Sequence, residues 1–329
     1  MLTDSYGRTA TDLRVSLTDR CNLRCAYCMP AEGLDWLPKP ELLTDDELVR
    51  LIGLAVTRMG ITEVRFTGGE PLLRRGLPGI VDRVAALEPR PEISLTTNGI
   101  GLERLAAPLH AAGLDRINVS LDTLSADVFV QLARRDRLDD VLKGLVAATA
   151  AGLAPVKVNT VLMRGVNDDE APALLRFCLS RGYQLRFIEQ MPLDAQHGWR
   201  REEMVTADEI LVSLNGEFSL TPADPAGRGS APAETFLVNG GPQTVGVIGS
   251  VTRPFCGACD RVRLTADGQL RNCLFAREES DLRTQLRAGA SDDELVAAWE
   301  RCIAAKLPGH GINDVGFLQP ARPMSAIGG

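Results

Sequence analysis

Three of the chain's eight cysteines fall within eight residues, Cys21-Asn22-Leu23-Arg24-Cys25-Ala26-Tyr27-Cys28, spaced C-x3-C-x2-C. Any fold of this chain must present three sulfurs from one short loop. Three thiolates can hold three irons of a cubane [4Fe–4S] cluster and leave the fourth iron without a protein ligand. An open metal position is where an exogenous group binds and reacts. A closed zinc site needs a fourth Cys or His nearby; none follows, and His110, His197 and His310 are all distant in sequence. A disulfide cannot use three crowded cysteines. The spacing favours iron–sulfur.

This octet resembles the signature loop of the radical S-adenosylmethionine (SAM) enzymes. The resemblance implies that SAM chelates the open iron through its amino and carboxylate groups. One electron from the cluster then splits it into methionine and a 5′-deoxyadenosyl radical. The cofactor carries the hard chemistry, and the protein positions it and excludes side reactions.

What the radical attacks must be read from the rest of the chain. At 329 residues it can bury a large core, as one α/β domain or one with an appendage. A net charge of −7 gives no overall basic field for nucleic acid. The start of the chain is polar and lacks the apolar core of a signal peptide. No apolar run approaches the ~20 residues of a membrane span. Clustered cysteines without a secretory signal point to a reducing cytoplasm. Cys178 and Cys302 stand alone on predicted helices and read as buried small hydrophobes.

Six strand–helix units are expected in a row. Their strands are residues 13–18, 61–66, 93–96, 116–122, 156–162 and 185–189, with one helical stretch running up to Gly152 and another opened by Asn167-Asp168-Asp169-Glu170. Such alternation implies parallel strands with right-handed crossovers. Same-face polar pairs recur in five of the strands: Arg14 and Ser16, Arg65 and Thr67, Ser94 and Thr96, Asn118 and Ser120, Lys157 and Asn159. A packed parallel sheet would be nearly all apolar. A polar inner face instead suggests a lumen around a polar ligand. The expected fold is therefore α/β, an incomplete parallel (β/α)6 barrel, with a C-terminal α+β iron–sulfur region closing its open side. The cysteine loop, Gly68-Gly69-Glu70-Pro71, Thr97-Asn98-Gly99, Ser120-Leu121-Asp122 and Gln190-Met191-Pro192 all fall at strand C-termini, the end where such folds place active sites.

Beyond Pro192 the alternation stops. Residues 1–215 read as the partial barrel and 216–329 as an auxiliary region, with a long loop at 221–234 and hairpins over 235–248 and 262–274. The tail after Pro308 looks irregular and mobile. The auxiliary region carries Cys256-Gly257-Ala258-Cys259 and Cys273, spaced C-x2-C-x13-C. The spacing alone does not separate iron–sulfur from zinc. Arg261 and Arg263 lie two apart on a predicted strand, so their guanidiniums share a face. Paired arginines suit bidentate capture of phosphate oxygens. The alternative is an exposed strand with two solvated arginines.

With these residues assembled, the chain resembles the GTP 3′,8-cyclases of molybdenum cofactor biosynthesis, which are two-cluster radical SAM enzymes. The likeness runs through Arg14–Pro30, Arg65–Leu72, Arg134-Arg135-Asp136-Arg137, Lys157–Asp168, Phe187–Pro192, the C-x2-C-Asp-Arg-x-Arg segment with Cys273, and the terminal Gly328-Gly329. It implies that Cys21, Cys25 and Cys28 hold the SAM cluster, with Tyr27, Gly69, Ser120 and Met191 lining the SAM site. Cys256, Cys259 and Cys273 would hold a second [4Fe–4S] cluster facing the guanine edge. Arg14, Arg65, Thr96, Lys157, Arg261 and Arg263 would hold GTP. Arg261, Arg263 and a double-glycine tail, Gly328 and Gly329, reaching the active site would serve catalysis. The radical would take the hydrogen of ribose C3′, and that carbon would join guanine C8, giving 3′,8-cyclo-7,8-dihydro-GTP. The implied partners are an external electron donor, the cyclic pyranopterin monophosphate synthase that takes the product, and a second copy in a homodimer. A radical SAM peptide-modifying enzyme with an auxiliary cluster is the nearest rival, although such enzymes usually carry more auxiliary cysteines. A zinc-ribbon nucleic-acid module would need a basic chain and stacking aromatics, against a net charge of −7 and 5% aromatic content.

Overall fold

A computed structural model describes residues 1–328 of the chain. The strands are β1 (Asp12–Ser16), β2 (Glu63–Thr67), β3 (Glu92–Thr97), β4 (Arg116–Ser120), β5 (Val156–Val161), β6 (Gln184–Ile188), β7 (Leu220–Pro222), β8 (Glu234–Val238), β9 (Thr244–Ile248), β10 (Arg261–Leu264), β11 (Gln269–Arg271) and β12 (Ser280–Asp281). The helices are α1 (Asp45–Met59), α2 (Leu77–Ala85), α3 (Leu102–Ala111), α4 (Ala126–Ala133), α5 (Leu138–Ala150), α6 (Ala171–Arg181), α7 (Ala207–Asn215), α8 (Leu282–Arg287), α9 (Asp292–Ala304) and α10 (Met324–Ile327).

All strands join one sheet in the order β12-β11-β10-β1-β2-β3-β4-β5-β6-β9-β8-β7. The six expected βα strands form its centre, parallel and in sequence order. The hairpins extend it on both sides: β10 adds parallel to β1, and β9 adds parallel to β6. Sequence reading found these hairpins but not their parallel outer partners, because alternation within a hairpin does not say which older strand it will meet. The sheet curls. Arg65 on β2 lies close enough to Arg186 on β6 for their charges to repel, although three strands intervene.

The expected two-faced strands are present. Val15, Phe66, Leu95, Val119 and Val158 are fully buried on the helix side, while Arg14, Arg65, Thr96, Asn118 and Lys157 occupy the alternate positions. Local signals set the helix ends. Thr44 caps α1 in a reciprocal box with Glu47, and Gly60 ends it at φ 85°. Caps of this kind each contribute about 1 kcal/mol. A second apolar cluster of Leu193, Met204, Val251, Phe275, Ile312 and Ile327 lies apart from the main core. Its members come from beyond β6, β9 and β11 and from the tail, so it ties the two wings of the open sheet together. Within the β6/β9 wing, Glu189, only 1% exposed, holds the strand ends by accepting from Ala207 N at 2.7 Å and Val251 N at 2.8 Å.

Three local expectations change. The stretch before Gly152 is two helices, because Arg134 turns left-handed at φ 55° and ends α4. Asn167 does not open a helix. It is buried, accepts from Met163 N at 2.7 Å and donates to Asp122 O at 2.7 Å, and α6 starts only at Ala171. The tail is not a loose end: Ser325 and Ile327 are buried, and Ser16 Oγ donates to Ile327 O at 2.7 Å. A segment rich in glycine and proline had read as mobile, but Ile312 and Ile327 are buried in the second apolar cluster and Arg322 pairs with Asp267, long-range contacts that composition does not reveal. Gly329, also expected at the site, lies outside the described residues.

Candidate active site

The cysteine loop leaves β1 and docks on the end of α4. Arg24 N and Ala26 N donate to the last carbonyls of that helix, Ala133 O at 3.0 Å and Leu132 O at 2.8 Å. These are carbonyls a helix leaves unpaired. Arg134 completes the clamp by donating to Met29 O. Beneath the loop runs Gly68-Gly69, and here glycine is required. A Cβ on Gly69 would lie 2.3 Å from Arg20 O, and one on Gly68, at φ 133°, would lie 2.4 Å from Thr18 O. Glu70 is fully buried and locks the turn. It accepts from Leu72 N at 2.9 Å, Thr97 Oγ1 at 2.7 Å and Asn98 N at 2.7 Å.

Cys21, Cys25, Tyr27, Gly69, Ser120 and Asp122 line one cleft at this end of the sheet, with Thr96 at its side. The cleft thus gathers three of the expected SAM residues. Met191 is not on its wall and packs instead against the second apolar cluster. Asp122, which sequence reading did not single out, accepts from Tyr27 Oη at 2.7 Å. Burial pushes its carboxyl up to about 6.

The three thiols suit a metal cluster. All are free, and burial raises each of them, Cys28 to about 12. Cys25 is raised further by Asp122, Cys28 and Cys21. Such a donor set resists ionising alone, whereas bound iron removes the cost by deprotonating the thiols it ligates. Among the described residues no three His, Cys, Asp or Glu side chains converge on a point fit for a single ion. A cubane takes each thiolate on a different iron and needs no such convergence.

The second triad lies at the N-terminal end of β10 and beyond β11. Cys256, Cys259 and Cys273 are free and half-buried, and Cys256 is near enough to both others to feel their charge. Burial pushes the Cys259 thiol up, but Arg261 and Lys306 outweigh it and hold it below the ordinary value. His310 is closer to this triad than its position in sequence suggests, and its backbone N–H donates to Cys256. Its ring is not a free ligand, because Nε2 bonds Ser250 O and Nδ1 accepts from Ile312 N, both at 3.1 Å.

Between the triads lies a buried cationic row. Arg263 pairs in register with Arg14, and Arg14 with Arg65. Arg261 and Arg263 are 8% and 4% exposed, so neither is a solvated surface arginine. Burial and mutual repulsion depress the group: Arg263 to about 10, Arg186 to about 9, Lys157 to about 8. Asp12 is the buried acid among them, 3.6 Å from Arg14 and 3.9 Å from Arg65. Arg14 Nε and Arg261 Nε and Nη2 are buried with no hydrogen-bond partner. Buried donors of this kind are rare unless a ligand meets them, and an anion with many oxygens would.

Arg186 is a site residue that sequence reading missed. It donates to Asn159 Oδ1 at 3.0 Å and Asn118 Oδ1 at 2.8 Å, and Asn118 in turn donates to Thr96 Oγ1 at 3.2 Å. Gly246 makes room for it, since a Cβ there would lie 2.9 Å from Arg186 Cγ.

The tail links the two halves. Ser325 N–H donates to Cys28, and Arg263 donates to Gly328 O. Arg263 also feels the charges of Cys273 and Cys259. A path of hydrogen bonds therefore runs from the first triad into the tail and from the tail to Arg263, which lies within reach of the charges of the second triad.

The family comparisons agree with this layout. The sequence model of the Radical SAM superfamily matches residues 15–178, and that of Molybdenum Cofactor Synthesis C matches 183–312. A GTP 3′,8-cyclase from Streptomyces coelicolor is 69% identical over 329 residues, covering 100% of this chain and 96% of its own length. The chain belongs to the GTP 3′,8-cyclase family. Another GTP 3′,8-cyclase, from Mycolicibacterium smegmatis, is 63% identical over 332 residues, with 100% and 92% covered. Among solved structures, Streptococcus suis SuiB bound to S-adenosylmethionine aligns with TM-score 0.59 at 15% identity, over 84% of this chain and 64% of that one. At that identity the likeness concerns the fold, an open radical SAM barrel, and not what SuiB acts on. For a GTP 3′,8-cyclase family member, two cysteine triads either side of a cationic lumen is the feature that joins fold to substrate.

Proposed function

We propose that this chain is a radical SAM lyase that converts GTP to 3′,8-cyclo-7,8-dihydro-GTP, the first step of molybdenum cofactor biosynthesis. Its cofactors are two [4Fe–4S] clusters and SAM. Membership of the GTP 3′,8-cyclase family supports the reaction, and one observation carries the substrate: buried, unpartnered guanidinium donors line the lumen between the triads. The reaction removes hydrogen from ribose C3′ and joins that carbon to guanine C8.

Cys21, Cys25 and Cys28 would hold the first cluster, and Cys256, Cys259 and Cys273 the second. When bound, the first cluster and SAM supply the hydrogen-abstracting radical. The residues of the chain supply position. Tyr27, Gly69 and Ser120 border the SAM cleft, and the glycine lets backbone approach the ligand. Met191 enters this role only through its packing at the end of β6. Arg14, Arg65, Lys157, Arg261 and Arg263 neutralise the triphosphate. Thr96, fixed by Asn118, is the neutral donor for the nucleoside. Gly328 lies against this group, and Gly329 extends from it. The bent sheet and the buried end of the tail, Ser325 and Ile327, would shield the space between from water.

The division into a barrel of residues 1–215 and an auxiliary region of 216–329 is part of the same reading, as are an external electron donor, a homodimer and a cytoplasmic setting. The product would pass to a cyclic pyranopterin monophosphate synthase. No helix among the described residues is long and apolar enough to cross a membrane.

The test is anaerobic. The reconstituted chain should hold about eight irons and release 5′-deoxyadenosine from SAM only when GTP is present. About four irons, or SAM cleavage indifferent to GTP, would defeat the reading.

A further inference from the structure

Lys306 follows α9 and is 5% exposed. Its ammonium donates to Cys259 O at 3.1 Å, Arg261 O at 2.9 Å and Cys259 Sγ at 3.4 Å. These acceptors use all three of its N–H groups. Among the described residues no carboxylate pairs with it, so Cys259 sulfur is the one partner able to carry negative charge. Buried ammonium groups are costly unless paired. The segment that follows wraps on past the triad, where His310 N–H reaches Cys256.

The first triad has different surroundings. Leu23 N lies 3.4 Å and Asn98 Nδ2 3.8 Å from Cys21 Sγ, and Ser325 N–H meets Cys28. Apart from Arg24, whose charge reaches Cys21, its near charges are acidic, Glu70 beside Cys21 and Asp122 beside Cys25. One triad thus faces carboxyl groups and neutral donors with Arg24 beside them; the other faces an ammonium and two guanidiniums.

Reducing an iron–sulfur cluster adds negative charge that spreads onto its sulfurs. Hydrogen bonds to sulfur and nearby positive charge therefore favour the reduced state and raise the potential. We infer that Lys306, through its bond to Cys259 Sγ, is a positioning residue that raises the reduction potential of the second cluster. This rests on the reading that Cys256, Cys259 and Cys273 hold a [4Fe–4S] cluster. Its backbone bonds to Cys259 O and Arg261 O also fix the strand that carries Arg261 and Arg263. Lys306 therefore sets the electronics of the cluster and the pose of the adjoining arginines together.

The experiment compares the reconstituted full chain with K306R, K306Q and K306M by iron analysis and EPR-monitored redox titration. Wild type is measured first. If it holds only one cluster, the underlying reading fails before Lys306 is tested. With both clusters present, K306M should lower the reduced-to-oxidised ratio of the second cluster about tenfold at fixed potential, which is 59 mV for one electron. K306R should stay within about threefold of wild type, K306Q should fall between, and the first cluster should not move. If K306M fails to load its second cluster, K306Q, which keeps N–H donors without the charge, takes its place. An unchanged second midpoint in the loaded neutral variant overturns the inference. So does an equal shift in both clusters.

Discussion

Arg263 shows how much one side chain can join. It sits in register beside Arg14, donates to Gly328 O and feels the charges of Cys273 and Cys259. A charge-assisted hydrogen bond is worth about 1.5–3 kcal/mol, so Arg263→Ala is predicted to weaken GTP binding roughly 10- to 150-fold. Calorimetry with GTP and with SAM should show that loss for GTP and little change for SAM; equal losses would contradict separate sites. Lys157 gives a pH signature. Burial, with Arg186, Arg116 and Arg65, holds it at about 8, so in the free protein its charge is present below that pH and lost above it. Bound triphosphate favours the charged form, and GTP binding at pH 8.5 should therefore take up a proton. Calorimetry in buffers of different ionisation enthalpy would detect the uptake, and Lys157→Arg should reduce it, leaving the smaller share of Arg186, held at about 9. Arg14, Arg65 and Lys157 were legible because each has a polar same-face neighbour on its strand. Arg186 was not, because its polar same-face neighbour Gln184 lies just ahead of the expected sixth strand and its other neighbour, Ile188, is apolar; Asp12 likewise lies just ahead of the expected first strand.

Elements position these residues through backbone contacts that sequence records only as glycines. Gly69 is the clearest case, since the carbonyls of Asp19 and Arg20 occupy the space a Cβ would need. Gly69→Ala is predicted to cost about 1–3 kcal/mol of stability, as overpacking does. It should also disturb the cysteine loop, lowering first-cluster iron while sparing the second; denaturant melts and iron analysis would show both. The tail was read as mobile because it is rich in glycine and proline with only two charged residues, yet one of these, Arg322, fastens it to Asp267 at 2.8 Å and to Glu279 at 2.8 Å. Arg322→Ala should release it, so that limited proteolysis clips the C-terminus faster while the iron content holds. Unchanged proteolysis would mean that the apolar anchors, Ile327 above all, suffice. Asn167 was read as part of a helix start and not as a lock, because its partners Asp122 and Val161 lie on other elements.

At the scale of the whole molecule, six parallel strands alone would leave an open, half-lined trough. The strands that follow add to both of its edges, and the second apolar cluster draws those wings together. Sequence reading recovered the central βα order and singled out both cysteine sets. The parallel pairing of β10 with β1 and of β9 with β6 was not legible, since it joins segments about 250 and about 60 residues apart by backbone alone. That pairing brings Arg261 and Arg263 beside Arg14 and turns two cysteine sets into one chamber. The most direct test of the chamber is GTP carrying deuterium at ribose C3′, incubated anaerobically with the reconstituted chain, SAM and a reductant. Deuterium should appear in 5′-deoxyadenosine, one per turnover, alongside a product joined between C3′ and C8. Unlabelled 5′-deoxyadenosine formed at the same rate with or without GTP would contradict the account.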